Sequence, residues 1–364
     1  MHKEQRQRAH ELLRSRQVRR ALFANPYTVT WLTGFAPPLQ VGPSPFAGGP
    51  PLVWYEDGEF ILVVLDASDT VGIDIPVIRY AGNTVETPIL STENLAEVLG
   101  SLLTKASPGP IGVELRHIPA FLVPSGMQTS AIDGWIDPLR IVKSAEELEK
   151  LRRSFALTDL AHAAARTATV AGMREIDVWA VAHSAAQQAA GERIAFGNDC
   201  VVSYRENNIG GWPGDLELRP GDSLMMDIST RVDGYWSDSC ATYYVGEPDE
   251  KRRAMHRIAE QALDFAISLV NPGAVAGEID RQVRHFIAAA GYPVYPHHTG
   301  HSVGVSTHEE PRIVPYNNRV LEAGMVLMLE PGIYFPREAA VRLEDALLVT
   351  ATGAEVLTHH DKRL

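Results

Sequence analysis

The sequence holds only two cysteines in 364 residues, Cys200 and Cys240, which leaves no material for a disulfide framework or a cysteine-based zinc site. Long apolar runs are missing too. Runs such as residues 60–65 fall far short of the roughly 20 residues that a membrane-spanning helix needs. Basic charge is in deficit, with 33 Lys and Arg against 45 Asp and Glu for a net charge of −12. That excludes a nucleic-acid scaffold, whose footprint is a basic surface. The opening MHKEQRQRAHELLRSRQVRR lacks the apolar core of a secretion signal and carries Glu4 and Glu11, so a cytoplasmic protein is expected. There is no heptad pattern, low-complexity tract or fixed-period repeat. What remains is 45% apolar and 21% charged, the balance of a globular chain of about two domains. The surplus of acids suggests carboxylates gathered around bound cations.

The first 140 residues read as short strands alternating with helices. FILVVLDA (residues 60–67) is a continuous apolar run, the pattern of a strand buried on both faces, and IGVEL (residues 111–115) resembles it. Pro37, Pro38, Gly42, Pro43, Pro45, Gly48, Gly49, Pro50 and Pro51 predict one long loop. The basic first 20 residues read as a solvated helix. A boundary falls near Arg140. Ser144 with Glu147 forms a capping box, and Leu148, Leu151, Phe155 and Leu160 follow at near-helical spacing, so a long helix opens a second domain at about residue 145. From Asp199 onward the chain is β-rich, interrupted by helical stretches at residues 250–270 and 278–290. An α/β fold is expected, divided into residues 1–139 and 140–364.

In the second half, acids and imidazoles sit inside apolar strands. LMMDIS places Asp227 behind Leu224, Met225 and Met226, and GYWSDSCAT places Asp238 among aromatics. Asp233-Gly234 between them is a hairpin-turn signal that would bring the two carboxylates together. VLMLEPGIY puts Glu330 at a strand end, and AAVRLEDALLVT puts Glu344 in the middle of a strand. Buried carboxylates cost several kcal/mol unless neutralised, hydrogen-bonded or metal-bound. HHTGHSVGVSTHEEPRI adds His297, His301 and His308, in a context that is not the HExxH pattern because Pro311 follows closely. Four carboxylates and one imidazole suit a pair of hard divalent cations better than one structural zinc. Four negative charges against two M²⁺ also leave room for a bridging hydroxide.

These residues carry a resemblance to the pita-bread metallopeptidase family, which includes Xaa-Pro aminopeptidase, Xaa-Pro dipeptidase (prolidase) and the non-peptidase creatinase. Asp227 and Asp238 match the two Asp of the family's "D-x-G … GY-x-x-D-x-T-R-T" segment at the same spacing. His301 matches the His of "TGHxxG", Glu330 the Glu of "EPGxY" and Glu344 the Glu of "xRxED". NPYTVTWLTGF (residues 25–35) is similar to the opening of the family's N-terminal domain, and RIVKSAEELEKLRRS to the entry into its catalytic domain. The resemblance implies a creatinase-type N-terminal α/β domain over residues 1–139 and a pita-bread catalytic domain over 140–364. It implies two divalent metal ions per chain, manganese first, with cobalt, iron or zinc as alternatives.

By the same resemblance, Asp227 chelates one metal, Asp238 and Glu344 bridge both, and His301 and Glu330 complete the other. Glu330 also serves as general base. His297 and His308 match histidines that contact substrate or the tetrahedral intermediate; the alternative is packing or surface histidines. Arg342 either orients Glu344 or forms a structural ion pair. The substrate implied is a small peptide or other small molecule, and the assembly a homodimer whose N-terminal domain reaches the neighbouring active site; nucleic acid and membrane are not expected.

Two departures matter. Aligning ENNIGGWPGDLELRPGD on Pro213 and Asp215 puts Gly210 where family peptidases carry a proton-transfer histidine, and glycine cannot replace an imidazole. Trp212 nearby offers an apolar wall but no acid–base chemistry, while His297 or His298 could take over the proton transfer. In DSCAT, Cys240 and Ala241 replace a threonine and an arginine. Strand alternation would put Cys240 on the face of Asp238, close to the metals; otherwise it is a small buried residue. Three readings stay open: a dinuclear metallopeptidase for Xaa-Pro dipeptides or peptide N-termini, a creatinase-like hydrolase or lyase of a small non-peptide metabolite, and a non-catalytic binding protein.

Overall fold

Between the apolar runs LVWYE and EFILVVL stand Asp57 and Gly58, both at positive φ (47° and 104°), as a two-residue hairpin turn requires. The strands they join, Leu52–Glu56 and Glu59–Leu65, pair antiparallel with Glu56 opposite Glu59. The computed structural model describes residues 2–37, 48–86, 89–123, 126–205 and 210–364, and the chain forms two compact units, Met1–Arg140 and Ile141–Leu364. Residues 38–47 of the proline- and glycine-rich stretch lie outside the described residues.

In the first unit the hairpin sits inside a six-stranded mixed sheet. Its order is Val77–Tyr80, Glu59–Leu65, Leu52–Glu56, Arg20–Phe23, Ile111–Val113 and Thr129–Ala131. Leu62, Val63 and Val64 are buried, as the continuous apolar run predicts, although the strand ends at Leu65 rather than Ala67. Asn25 caps the helix Pro26–Thr33 by accepting from Tyr27 N–H, with Pro26 at the position where a missing N–H costs nothing. The basic N-terminal helix, Lys3–Ser15, departs from the expectation of a solvated element. It buries Ala9 and Leu13, and Arg6 turns inward to Asp74 at 3.0 Å.

In the second unit the capping box is formed as read. Ser144 Oγ accepts from Glu147 N–H, Glu147 reaches back to Ser144 N–H, and the helix runs Ala145–Ala168. It packs on Glu175–Ala190; a second helix pair is Glu250–Ser268 and Ala276–Ala289. Between the two pairs' cores lies an antiparallel sheet of Cys240–Tyr244, Ser223–Asp227 and Cys200–Val202. Along its central strand Met225 joins the core of the second helix pair, while Leu224 and Met226 join that of the first. This two-sided burial is why LMMD shows no polar alternation. A five-stranded antiparallel sheet follows, ordered Glu309–Ile313, Gly300–Ser302, Val326–Leu329, Asp345–Val349 and Ala354–Val356. No helix among the described residues is long and apolar enough to cross a membrane.

Candidate metal centre

Asp227 ends its strand opposite Cys240. Asp238 lies two residues before that partner, after the turn at Asp233 and Gly234, where both residues take positive φ. The two carboxylates converge on one amide: Asn198 Nδ2 reaches Asp227 Oδ1 at 3.2 Å and Asp238 Oδ1 at 3.3 Å. Ser229 Oγ–H donates to Asp238 Oδ1 at 2.9 Å. Asp238 itself lies outside the strand, which begins at Cys240, so strand alternation does not relate the two side chains. Cys240 is buried in the apolar core, and burial pushes its thiol well up, keeping it neutral beside Arg342.

His301 lies in the strand Gly300–Ser302 and donates Nδ1–H to the Ser302 carbonyl at 2.9 Å, which leaves the Nε2 lone pair free for a ligand. Nε2 sits 3.7 Å from Asp238 Oδ2 and 3.6 Å from Glu330 Oε1. Burial drives this imidazole down to about 3, so it is neutral near pH 7. Glu330 follows the strand Val326–Leu329; its Oε1 lies 2.8 Å from His298 Nε2. Although burial alone would raise its pKa, the His298 hydrogen bond and the surrounding imidazoles hold this carboxyl down at about 2.

Glu344 corrects its expected place. It stands not mid-strand but in the break between Ala339–Arg342 and Asp345–Val349, where the chain passes from a two-stranded to the five-stranded sheet. Glu344 N–H donates to Cys240 O at 2.9 Å, a bond that turns the carboxylate toward Asp238. It is 1% exposed, and neither carboxylate oxygen has a hydrogen-bond partner among the described residues. Asp238, His301 and Glu344 offer ligand atoms within 4.8 Å of one another. Burial first, then neighbouring carboxylates, pushes Asp238 and Glu344 well up. Like charges this close cannot all ionise without a cation between them. The orphaned oxygens and the carboxylate–imidazole set therefore fit divalent metal.

Around this core, His297 is half-enclosed. It donates Nδ1–H to His298 O and accepts at Nε2 from the Tyr334 hydroxyl, each at 2.8 Å, and burial lowers it to about 4. His308 is exposed, its ring stacked 4.0 Å from that of His301. His298, His301 and His308 form a second group with ligand atoms within 4.8 Å. Arg342 Nη2 donates to Asp199 Oδ2 at 2.6 Å and to Asp227 Oδ2 at 2.7 Å, so its carboxylate partners there are these two aspartates. By contrast Glu309, beside His308, is neutralised by Lys143 Nζ at 2.7 Å. Gly210 has φ +131°, and a Cβ built there would collide with the Asp199 carboxylate. Residues 206–209 of the adjoining loop lie outside the described residues; Trp212 is 72% exposed, with its ring beside Gly197. Asn198 and Asp199 were not singled out from sequence. The available signal was an Asn-Asp pair directly ahead of the apolar run Cys200–Val202.

Residues 149–351 match the metallopeptidase family M24. Over 234 residues the chain is 36% identical to the Xaa-Pro dipeptidase of Pyrococcus furiosus, a stretch covering 64% of this chain and 67% of that protein. The prolidase of Pyrococcus horikoshii OT3 superposes with a TM-score of 0.84 at 26% identity, covering 99% of each chain. The prolidase of Pyrococcus furiosus does so with 0.80 at 28% identity, covering 97% of this chain and 99% of that one. The mixed α/β architecture is thus that of the prolidases along the whole chain. The chain belongs to metallopeptidase family M24 and is a hydrolase whose family works with divalent metal ions.

Proposed function

We propose that this hydrolase is a dinuclear peptidase acting on Xaa-Pro dipeptides or peptide N-termini, with Asp227, Asp238, His301, Glu330 and Glu344 holding two divalent cations, manganese first. The observation that carries this reading is Glu344, a carboxylate buried beside Asp238 and His301 with neither oxygen hydrogen-bonded among the described residues. When bound, the cations supply Lewis acidity and make water a nucleophile at neutral pH. Glu330, held ionised and oriented by His298 at 2.8 Å, is placed to accept that water's proton. His297 stays neutral and fixes the Tyr334 hydroxyl, while exposed His308 meets the substrate. Arg342 anchors Asp227. The proposal includes a cytoplasmic homodimer, with residues 1–139 as a creatinase-like domain and 140–364 as the pita-bread metallohydrolase domain.

A second reading, a hydrolase or lyase of a small non-peptide metabolite, draws on Gly210, where the imidazole of family peptidases is absent and a carboxylate fills the space. The deciding experiment assays manganese-loaded protein against Xaa-Pro dipeptides and against guanidino and amide metabolites. Turnover of the dipeptides supports the first reading. Turnover confined to the metabolites overturns it.

A further inference from the structure

Arg342 presents a problem for any cation bound by Asp227. Its side chain is 4% exposed, and its Nη2 already holds Asp227 Oδ2 at 2.7 Å. A buried guanidinium and a divalent cation compete for one carboxylate, and a guanidinium stripped of its anion in such a place is costly. The same Nη2 also holds Asp199 Oδ2 at 2.6 Å. Asp199 is itself well fixed: its backbone carbonyl accepts from Asp227 N–H at 2.9 Å, and the next residue, Cys200, donates N–H to Gly211 O at 2.9 Å. The space its carboxylate occupies exists because position 210 has no side chain.

We propose that Asp199 is a positioning residue for the metal centre: it gives Arg342 Nη2 a second anion, so that Asp227 can turn its charge to the cation while that nitrogen keeps a carboxylate. This rests on the metal-centre reading above and goes beyond it, since no motif assigns Asp199. In this account the Asp199 carboxylate takes the space that an imidazole at 210 would need. The group that fills the gap acts on the metal's ligand through Arg342 rather than on the substrate.

The test is a double-mutant cycle read by metal affinity rather than turnover. Chelator-treated protein is titrated with Mn²⁺ alone, and free Mn²⁺ is followed by its electron paramagnetic resonance signal. Asp199→Asn keeps the shape and removes the charge, and is expected to weaken one of the two ions by about tenfold or more, the range for partners that orient metal ligands. In an Arg342→Gln background, with the competing cation gone, the same substitution should change affinity by less than about twofold. Where Arg342→Gln fails to fold by circular dichroism, Arg342→Met supplies the uncharged background. Equal loss in both backgrounds would show that Asp199 serves the fold alone, and no loss in either would remove its role altogether; both outcomes overturn the proposal. Wild type that binds no Mn²⁺ would instead overturn the metal-centre reading on which it rests.

Discussion

Glu114 in the first unit and Glu344 in the second are each 1% exposed, and their surroundings are opposite. Glu114 lies at the start of the helix Pro26–Thr33 and accepts three hydrogen bonds: Ala24 N–H at 2.8 Å, Asn25 N–H at 2.7 Å and Thr28 Oγ–H at 2.8 Å. The first unit thus completes its buried acid from its own backbone, and the acid ties a strand end to a helix start. Glu344 has no donor among the described residues and has carboxylates for neighbours. Burial is the same in both; donor supply separates a carboxylate satisfied within the fold from one whose surroundings fit a cation.

The largest expected effect breaks the second member of the pair. Glu344→Ala and Asp238→Ala are each expected to lose both metals and to lower activity by at least about a thousandfold, since a metal site acts as a unit. Elemental analysis after reconstitution decides it: two equivalents retained by either variant contradicts the bridging roles. Chelation comes next. Without metal, Asp238 and Glu344 hold protons above the ordinary carboxylate range, so the folded form binds protons that the unfolded chain has released. Stability of the metal-free protein should therefore fall as pH rises past about 5, by about 5 °C or more in Tm, and added metal should remove the share of that slope that Asp238 and Glu344 contribute. A metal-free Tm that climbs over the same interval would refute the account.

Glu114 sharpens the contrast, because metal should not touch it. Burial outweighs its three donors and pushes it from 4.5 to about 7. Its contribution is greatest where both states are protonated, below about pH 4.5, and declines as pH rises through 7. The total is on the order of 3 kcal/mol at 1.36 kcal/mol per unit. Urea unfolding followed by the fluorescence of Trp31 and Trp54, both buried in this unit, should show the slope in wild type and a flatter one in Glu114→Gln. Equal slopes would assign it to another group. The smallest effect is expected from deleting the first unit: a fragment starting near Arg140 should fold and keep its metal content, and a folded fragment without metal would contradict that.

Local chemistry was the readable part of the sequence. Asp233-Gly234 and the Ser144–Glu147 box each need only neighbours in the chain, and each is formed. The four carboxylates and the imidazole were legible because a polar group in an apolar strand is conspicuous, and the fold brings ligand atoms of Asp238, His301 and Glu344 within 4.8 Å of one another. What could not be read depends on distant backbone. The strand break at Glu344 is tied down by a bond to Cys240, 104 residues away (344 − 240). The two carboxylates that Arg342 Nη2 holds are 143 and 115 residues distant, so its place beside Asp227 had no local signal. The inward turn of Arg6 likewise depends on Asp74.

The collision between a Cβ at position 210 and the Asp199 carboxylate also sets a direction in evolutionary time. With Asp199 placed as it is here, a side chain at 210 requires that carboxylate to move, so acquiring glycine at 210 before the aspartate avoids an ancestor in which both groups claim one volume. Glycine alone would be tolerated as an intermediate, at the expense of whatever the lost side chain did. Once Asp199 is in place, a side chain returning to 210 must displace its carboxylate. Relatives carrying Asp at this position should therefore carry Gly at 210, whereas glycine there without the aspartate marks the open intermediate.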